Sequence, residues 1–168
     1  GLSKGDRVGV LIHNCHQFIE IYFACAKTGS IFCPYNNHLR QWELKDVINY
    51  SRPRILFLDR DYTSAIAELQ PELPSVESYV CLQTPDKAFL KDYETLISQG
   101  RSWEPDVKVL DDDVQSIIFT AGTTGKPKGA MRTHRHLISD AYSSVIELRV
   151  EYDESVLIVF PMYHVACE

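Results

Sequence analysis

The sequence predicts an α/β protein built from parallel layered sheets flanked by helices. Short apolar runs typical of buried strands alternate with segments whose apolar residues recur at helical spacing. Glycine, proline or short polar stretches separate most of these segments. Strands and helices that alternate in this way are expected to form parallel sheets through right-handed crossover connections.

The first predicted unit runs strand, helix, strand. Residues 7–12 form a short apolar run that suits a buried strand. Asn14, with Gln17 three residues later, predicts a helix N-terminus with a capping box. The helical stripe that follows ends at Gly29, a residue type that is common just beyond helix C-termini. Residues 30–34 then predict a second strand, closed by proline.

The alternation continues along the rest of the chain. Further strands are predicted over residues 54–58, 79–82, 115–119, 130–133 and 155–160. Further helices are predicted over residues 41–50, 62–69 and 136–148. The polar, proline-containing residues 84–113 predict a connecting region between a first α/β unit, 1–83, and a second unit, 114–168. The acidic run at the end of that region is expected to be a solvated turn.

Composition and charge exclude several classes of protein. The chain has 168 residues, 45% of them hydrophobic, which argues against intrinsic disorder. Its formal net charge of −6 argues against a nucleic-acid binder that relies on a basic field. No apolar run approaches the roughly 20 residues of a membrane span, so the protein is not expected to be transmembrane. Five scattered cysteines without metal-site spacing favour reduced thiols in the cytoplasm.

A glycine-rich segment after the strand at 115–119 carries the clearest chemical signal. It consists of Thr120, Ala121, Gly122, Thr123, Thr124, Gly125, Lys126, Pro127, Lys128 and Gly129. Glycines allow close backbone approach to a ligand, and the N–H groups of such a loop can hold phosphate oxygens. The threonine hydroxyls and the Lys128 ammonium add donors, while Pro127 stiffens the loop. This combination suits a triphosphate.

Two familiar nucleotide motifs do not explain the segment. A Walker A loop requires GxxxxGK[ST], and here Pro127 follows Lys126. The chain also has no GxGxxG dinucleotide fingerprint. From residue types alone, a flexible glycine-rich surface loop remains the alternative to a phosphate site.

The segment from Thr120 to Gly129 resembles the signature loop of the adenylate-forming superfamily, whose usual form is TSGTTGxPKG, with Ala121 in place of the common serine. Downstream, Pro161, Met162, Tyr163 and His164 resemble the P-x-[FY]-H motif of the same superfamily. The upstream residues 4–8 and 27–36 are also similar to the amino-terminal domain of an AMP-dependent acyl-CoA synthetase, so the resemblance covers nearly the whole chain.

The resemblance implies a two-step reaction. A carboxylate attacks the α-phosphate of Mg-ATP, which gives an acyl-adenylate and pyrophosphate, and the CoA thiol then displaces AMP. The resemblance assigns the phosphate-binding role to the loop from Thr120 to Gly129, with Thr124 as a weak candidate for contact with Mg²⁺. It places Tyr163 and His164 beside the acyl-substrate pocket. It assigns no residue of this chain a certain catalytic role.

Parts that the superfamily needs are missing from this sequence. The YGxTE-like segment, the acidic ribose-binding motif and the carboxy-terminal lid with its adenylation lysine are all absent. Because the chain also begins without methionine at Gly1, we expect residues 1–168 to be a partial amino-terminal AMP-binding domain of a longer protein. The fragment alone is expected to be inactive and, through exposed apolar surface, to be able to form a homo-oligomer.

Several alternatives remain open. The parent protein could load a carrier protein, or it could be a non-catalytic nucleotide-binding module with the same fold. For the acyl substrate, Cys167 and Glu168, together with Asn14, Cys15 and the segment through Asn37, are reminiscent of carnitine/crotonobetaine-type CoA ligases, and a fatty-acid CoA ligase is the main rival. The histidines His13 and His16 have no evident third metal ligand. The basic turn around Arg132 and Arg135 is interpreted as a solvated surface, with attraction of ATP as the alternative.

Overall fold

The structure is a computed structural model that describes residues 1–120 and 127–164. Its helices are α1 (His16–Thr28), α2 (Gln41–Ser51), α3 (Thr63–Leu69), α4 (Tyr93–Ser98) and α5 (His134–Leu148). Its strands are β1 (Arg7–Leu11), β2 (Ile31–Pro34), β3 (Ile55–Leu58), β4 (Ser78–Cys81), β5 (Leu90–Asp92), β6 (Val114–Thr120) and β7 (Lys128–Thr133). The mixed α/β fold class predicted from the sequence is confirmed.

The described strands form a single sheet in the order β5-β4-β3-β1-β2-β6-β7. All neighbouring pairs are parallel except β6 and β7, which are antiparallel. Strands of both predicted units lie in this sheet, because β2 pairs with β6 through Phe32 and Ser116. The predicted connecting region contains β5 and α4, two elements that the sequence patterns did not indicate.

Apolar side chains cover both faces of the sheet. On one face, α2 and α3 contribute Leu44, Ile48 and Ile66 to a cluster of buried residues around Tyr35. On the other face, α1 contributes Phe18, Ile21 and Cys25 to a second cluster. This double covering explains why the central strands have continuous apolar runs instead of alternating ones.

The chain changes direction between two adjacent strands. After β1 it crosses the α1 face to β2, whereas after β3 it crosses the opposite face through α3 to β4. The carboxyl ends of β1 and β3 therefore border a topological switch point, where open α/β sheets commonly bind ligands.

Two local predictions at the ends of α1 have different outcomes. The prediction that α1 ends at Gly29 is confirmed, because Gly29 has a left-handed φ of 68° and donates its N–H to the Cys25 carbonyl. The predicted Asn14 capping box is wrong, since Cys15 occupies the N-cap position and makes no side-chain capping bond. Asn14 uses its side chain elsewhere, as described below.

The strand predicted over residues 155–160 is also wrong. These residues have no regular secondary structure, and five of them are exposed apolar side chains. The segment lies against α1 and α5, where it borders a cavity of about 710 Å³. No strand among the described residues lies beside it, so its backbone lacks the ladder of hydrogen bonds that defines a strand. Its apolar composition predicted burial, but its apolar side chains are exposed among the described residues.

Candidate functional site

The two ends of the predicted phosphate loop lie side by side. Thr120 ends β6 and Lys128 begins β7, and the two residues are antiparallel partners. The Thr120 hydroxyl donates to the Lys128 carbonyl at 3.4 Å. Lys128 is exposed and Pro127 is half-buried. The remaining loop residues, Ala121, Gly122, Thr123, Thr124, Gly125 and Lys126, lie outside the described residues, so the structure does not test their predicted contacts with phosphate.

Gly129 has a packing role that the sequence interpretation did not foresee. A Cβ atom at this position would lie 2.8 Å from Cγ2 of Ile117 and 3.5 Å from Cε1 of Phe119. Such a short approach forces one of the atoms to move. Glycine at the start of β7 therefore avoids a close contact within the strand pair, whether or not its backbone also approaches a phosphate.

A polar cluster occupies the switch point between β1 and β3. Asp59, which is 5% exposed, accepts bonds from the His13 backbone N–H at 2.6 Å and from the Gln83 amide at 2.9 Å. The His13 ring nitrogen Nδ1 lies 2.8 Å from the same carboxylate, and Nε2 lies 3.1 Å from the Tyr62 hydroxyl. His13 and Tyr62 also stack with their ring centroids 5.5 Å apart. His13 therefore has partners within the protein, in agreement with its structural interpretation.

The segment that carries Tyr163 and His164 is anchored beside this cluster. The Asn14 amide donates to the Phe160 carbonyl at 2.8 Å and accepts from the Met162 N–H at 2.8 Å. Met162 is 6% exposed and belongs to the core cluster on the α1 face. The His164 N–H donates to the Pro161 carbonyl at 3.0 Å, which closes a turn. Tyr163 is half-buried and the His164 side chain is exposed.

The Asn14 contacts place Tyr163 near the polar cluster at the switch point. Within that cluster the pKa of Tyr62 is raised mainly by burial, and the nearby carboxylates of Asp59 and Asp61 raise it further. The two predicted site segments thus end at one edge of the sheet: Thr120 at the carboxyl end of β6, and Tyr163 near the carboxyl ends of β1 and β3. Because β2 separates β1 from β6, these strand ends are roughly 10 Å apart.

The basic turn after β7 forms ion pairs with nearby carboxylates. Arg135 pairs with Asp112 at 3.0 Å and with Asp111 at 3.5 Å, and Arg132 pairs with Asp140 at 2.7 Å. These pairs agree with a solvated surface turn. The backbone of the acidic run also contacts the start of α5, because the Asp113 and Asp111 carbonyls accept from the His134 and Arg135 N–H groups. Within residues 1–120 and 127–164, no group of three or more His, Cys, Asp or Glu side chains could hold a metal ion.

The described cysteines behave as small apolar side chains. Cys15, Cys25, Cys33 and Cys81 are free thiols, and all but Cys15 are buried. Burial raises the pKa of Cys25 to about 12 and the pKa of Cys33 still further. A thiol with such a high pKa is a poor nucleophile at neutral pH.

Comparison with known proteins identifies the class to which this fold and loop belong. The family described as AMP-binding enzyme matches residues 1–167. The chain therefore belongs to the AMP-binding enzyme family, as the signature loop had indicated.

Curated proteins named as CoA ligases are similar to this chain over its whole length. The chain is 31% identical over 176 residues to a crotonobetaine/carnitine–CoA ligase from Salmonella arizonae and 30% identical over 173 residues to one from Escherichia coli strain SE11. Each comparison covers 100% of this chain and 33% of the relative. The chain thus spans about a third of the length of the curated relatives it matches.

Solved structures share the fold. The N-terminal domain of FACL13 from Mycobacterium tuberculosis matches with a TM-score of 0.89 at 27% identity, covering 99% of this chain and 41% of that one. A long-chain-fatty-acid-CoA ligase from Archaeoglobus fulgidus matches with a TM-score of 0.88 at 25% identity, covering 99% and 32%. ATP-bound MatB from Rhodopseudomonas palustris matches with a TM-score of 0.83 at 25% identity, with the same coverage.

None of the helices in the described part of the chain has the length and apolar character needed to cross a membrane.

Proposed function

We propose that this chain is part of an ATP-dependent carboxylate–CoA ligase that works through an acyl-adenylate. In the first half-reaction a carboxylate oxygen attacks the α-phosphorus of ATP and pyrophosphate leaves. In the second, the CoA thiol attacks the acyl carbon and AMP leaves. The observation that carries the proposal is the position of Thr120 and Lys128, paired at the carboxyl edge of the sheet in a chain that matches the AMP-binding family over residues 1–167.

The loop from Thr120 to Gly129 is proposed to hold the β- and γ-phosphates. Its anchored ends support this role, because a loop whose ends are fixed loses less entropy when it orders around a ligand. Lys128, which is exposed, would supply positive charge to the triphosphate. Mg²⁺ is proposed to arrive as part of Mg-ATP, with the Thr124 hydroxyl as the candidate contact from this chain. Positioning and charge stabilisation, without a covalent nucleophile, are the protein's contribution.

Tyr163 and His164 are proposed to border the acyl-substrate pocket. Their segment is anchored to the carboxyl end of β1 by Asn14, and this end lies two strands from the end of β6. A carboxylate held there would approach a nucleotide whose phosphates lie at the loop. Neither residue is proposed as a catalytic acid or base.

The substrate class is proposed to be a small betaine-like carboxylate. The names of the curated relatives, crotonobetaine/carnitine–CoA ligases, support this choice. A fatty acid is the second candidate, because solved structures named fatty-acid CoA ligases share the fold with TM-scores up to 0.90. The cytoplasmic location and the role in fatty acid metabolism predicted from the sequence stay part of the proposal.

The domain division also remains a proposal. Residues 1–168 are taken as a partial AMP-binding domain, and adenylation is proposed to require a lid domain in addition to these residues. We therefore expect no carboxylate-dependent pyrophosphate release from the 168-residue chain alone. Detection of such release would contradict this expectation.

Carboxylate-dependent ATP–pyrophosphate exchange by the full-length protein tests the proposed function. Carnitine-like betaines, fatty acids of different lengths, aryl acids and amino acids would be compared. Lys128→Ala should lower the exchange rate about 100-fold or more, the usual effect of removing a group that stabilises developing charge. Lys91→Ala, which changes an exposed lysine on the distant edge strand β5, is the matched control and should have no effect.

The outcomes separate the alternatives. Exchange with amino acids, followed by transfer to a carrier protein, would favour a carrier-loading adenylation domain. ATP binding without exchange for any acid would favour a non-catalytic nucleotide-binding module.

A further inference from the structure

Asn14 connects two parts of the chain that are far apart in sequence. It follows β1, yet its side-chain amide reaches a segment that lies 146–148 residues later. The amide group donates to the carbonyl of Phe160 and accepts from the N–H of Met162, both at 2.8 Å. Between these two residues lies Pro161, which has no N–H of its own. A single side chain thus holds the backbone on both sides of the proline.

The position of Asn14 is itself fixed by the polar cluster at the switch point. The preceding residue, His13, is tied to the buried Asp59 carboxylate by its backbone N–H at 2.6 Å and by ring Nδ1 at 2.8 Å. On the other side, the Cys15 carbonyl accepts from the Phe18 N–H as α1 begins. The backbone of Asn14 therefore lies between two anchored neighbours, one at a strand end and one at a helix start, and its side chain extends from this position to the later segment.

The contacts of Asn14 position the backbone of the segment that carries Tyr163 and His164. Met162 is buried in the core on the α1 face, and the next turn is closed by the bond from the His164 N–H to the Pro161 carbonyl. The backbone that carries Tyr163 and His164 is therefore fixed at the sheet edge by three contacts: the two bonds to Asn14 and the packing of the buried Met162 side chain. Because Asn14 is exposed to solvent, its bonds contribute more to the geometry of this segment than to global stability.

We propose that Asn14 is a positioning residue for the acyl-substrate side of the active site. It sets the placement of Tyr163 and His164 at the carboxyl edge of the sheet without contacting substrate. This inference rests on the proposed function, because it assumes that the two residues border the carboxylate pocket. Loss of Asn14 should weaken use of the carboxylate and leave use of ATP unchanged, since the phosphate loop is anchored separately through Thr120 and Lys128.

Steady-state kinetics of the full-length protein test this inference. Asn14→Ala removes both bonds, and Asn14→Asp keeps the acceptor for the Met162 N–H but loses the donor to the Phe160 carbonyl. Both variants should raise the KM for the carboxylate, by about tenfold for Asn14→Ala, as expected for the loss of two hydrogen bonds of modest net strength. The KM for ATP should stay within about twofold of the wild-type value.

A matched control separates positioning from general destabilisation. Asn49 lies on α2 and donates its side-chain N–H to the Glu72 carbonyl at 3.0 Å, so Asn49→Ala also removes a long-range bond from a side chain to the backbone. Asn49→Ala should leave both KM values unchanged. Equal changes in the KM for carboxylate and for ATP in the Asn14 variants, or no change in either, would overturn the proposal.

Misfolding of Asn14→Ala and an inactive wild-type protein can each be distinguished from a failure of the Asn14 inference. If Asn14→Ala does not fold, the KM values of Asn14→Asp decide the question, because this variant keeps the size of the side chain. If the wild-type protein shows no carboxylate-dependent exchange, the proposed function fails, and that result is separate from a failure of the Asn14 inference.

Discussion

The two ends of the chain differ in how their apolar residues are used. In the region from β1 to β4, strand residues such as Leu56 and helix residues such as Ile48 are completely buried. In α5 and the segment after it, apolar residues are equally frequent, but Ile146 is 74% exposed and Leu157 is 85% exposed. None of the residues of α5 is buried. An amphipathic pattern thus predicts which face of a helix needs a partner, whereas only the structure shows whether the described chain supplies it.

The largest expected effect tests this difference directly. Leu56→Ala should lower the free energy of unfolding of the 168-residue chain by about 2–5 kcal/mol, because it leaves a cavity in a closed core. Ile146→Ala should change it by less than about 0.5 kcal/mol, because the side chain is exposed. Urea unfolding of both variants measures the two values. Comparable losses in both would mean that α5 is covered in solution.

A smaller effect is expected from two glycines, Gly9 in the buried strand β1 and Gly129 in the edge strand β7. In β1, a Cβ on Gly9 would lie 2.8 Å from Cε2 of the buried Tyr35 and 3.0 Å from Cδ1 of Leu56. Gly9→Ala should therefore cost about 1–3 kcal/mol of unfolding free energy through overpacking. Gly129→Ala should cost less, because its close neighbour Ile117 is only partly buried and can move.

Two measurements on Gly129→Ala distinguish the possible roles of this glycine: stability by urea unfolding and affinity for ATP. A loss of stability with unchanged ATP affinity in the full-length protein would assign Gly129 to strand packing. Unchanged stability with weaker ATP binding would instead support the phosphate-binding role that the sequence had indicated for Gly129. Gly1→Ala, which has no atoms within 4 Å of the added carbon, is the control.

The parts of the fold that could be predicted are those that depend on local patterns. Among the described residues, six of the seven strands follow from short apolar or strand-like runs, and the end of α1 follows from Gly29, since each of these signals acts through neighbours in sequence. The strand predicted over 155–160 failed because a strand also requires a neighbour at the right edge. The three-residue strand β5 was missed because Leu90 is its only buried residue, which is too little to form a pattern.

The residues of the candidate site also fall into two groups: those that local sequence patterns predict and those that depend on contacts with distant parts of the chain. The loop from Thr120 to Gly129 could be found from its residue types and its resemblance to a family motif. The role of Asn14 could not, because its partners lie 146–148 residues away and its local spacing indicated a helix cap instead. The packing role of Gly129 depends on Ile117 in the neighbouring strand, and the sequence gives no sign of this contact.

Exposed apolar surface should also affect self-association of the 168-residue chain. Ile146, Leu148 and Leu157 expose 74%, 74% and 85% of their surfaces, and a surface of this kind favours contact between copies. Replacement of Ile146 and Leu157 by serine should lower the average mass measured by light scattering at high concentration. Replacement of two exposed lysines, Lys87 and Lys91, serves as the control. A wild-type chain that is monomeric at every concentration would contradict the expectation.

The smallest expected effect belongs to a surface ion-pair network in the packed region. Arg54 contacts Asp6 at 2.6 Å and Glu77 at 2.7 Å. The Arg54 guanidinium lowers the pKa of Glu77, and a bond from the Ser3 N–H, with help from Arg54, lowers the pKa of Asp6. A carboxyl group with a lowered pKa in the folded state stabilises the fold above its ordinary pKa, and this contribution is lost as the pH falls through the lowered value.

Arg54→Met should therefore lower the Tm slightly between about pH 5 and pH 7, where both carboxyl groups are ionised in the folded and unfolded states. The difference from the wild-type Tm should shrink steadily below about pH 4 as the carboxyl groups become protonated. Thermal unfolding across this pH range measures the effect, with Arg101→Met as the control, because Arg101 lies over the Trp103 ring and not in this network. A Tm difference that is independent of pH would show that Arg54 acts through the packing of its alkyl chain and not through charge.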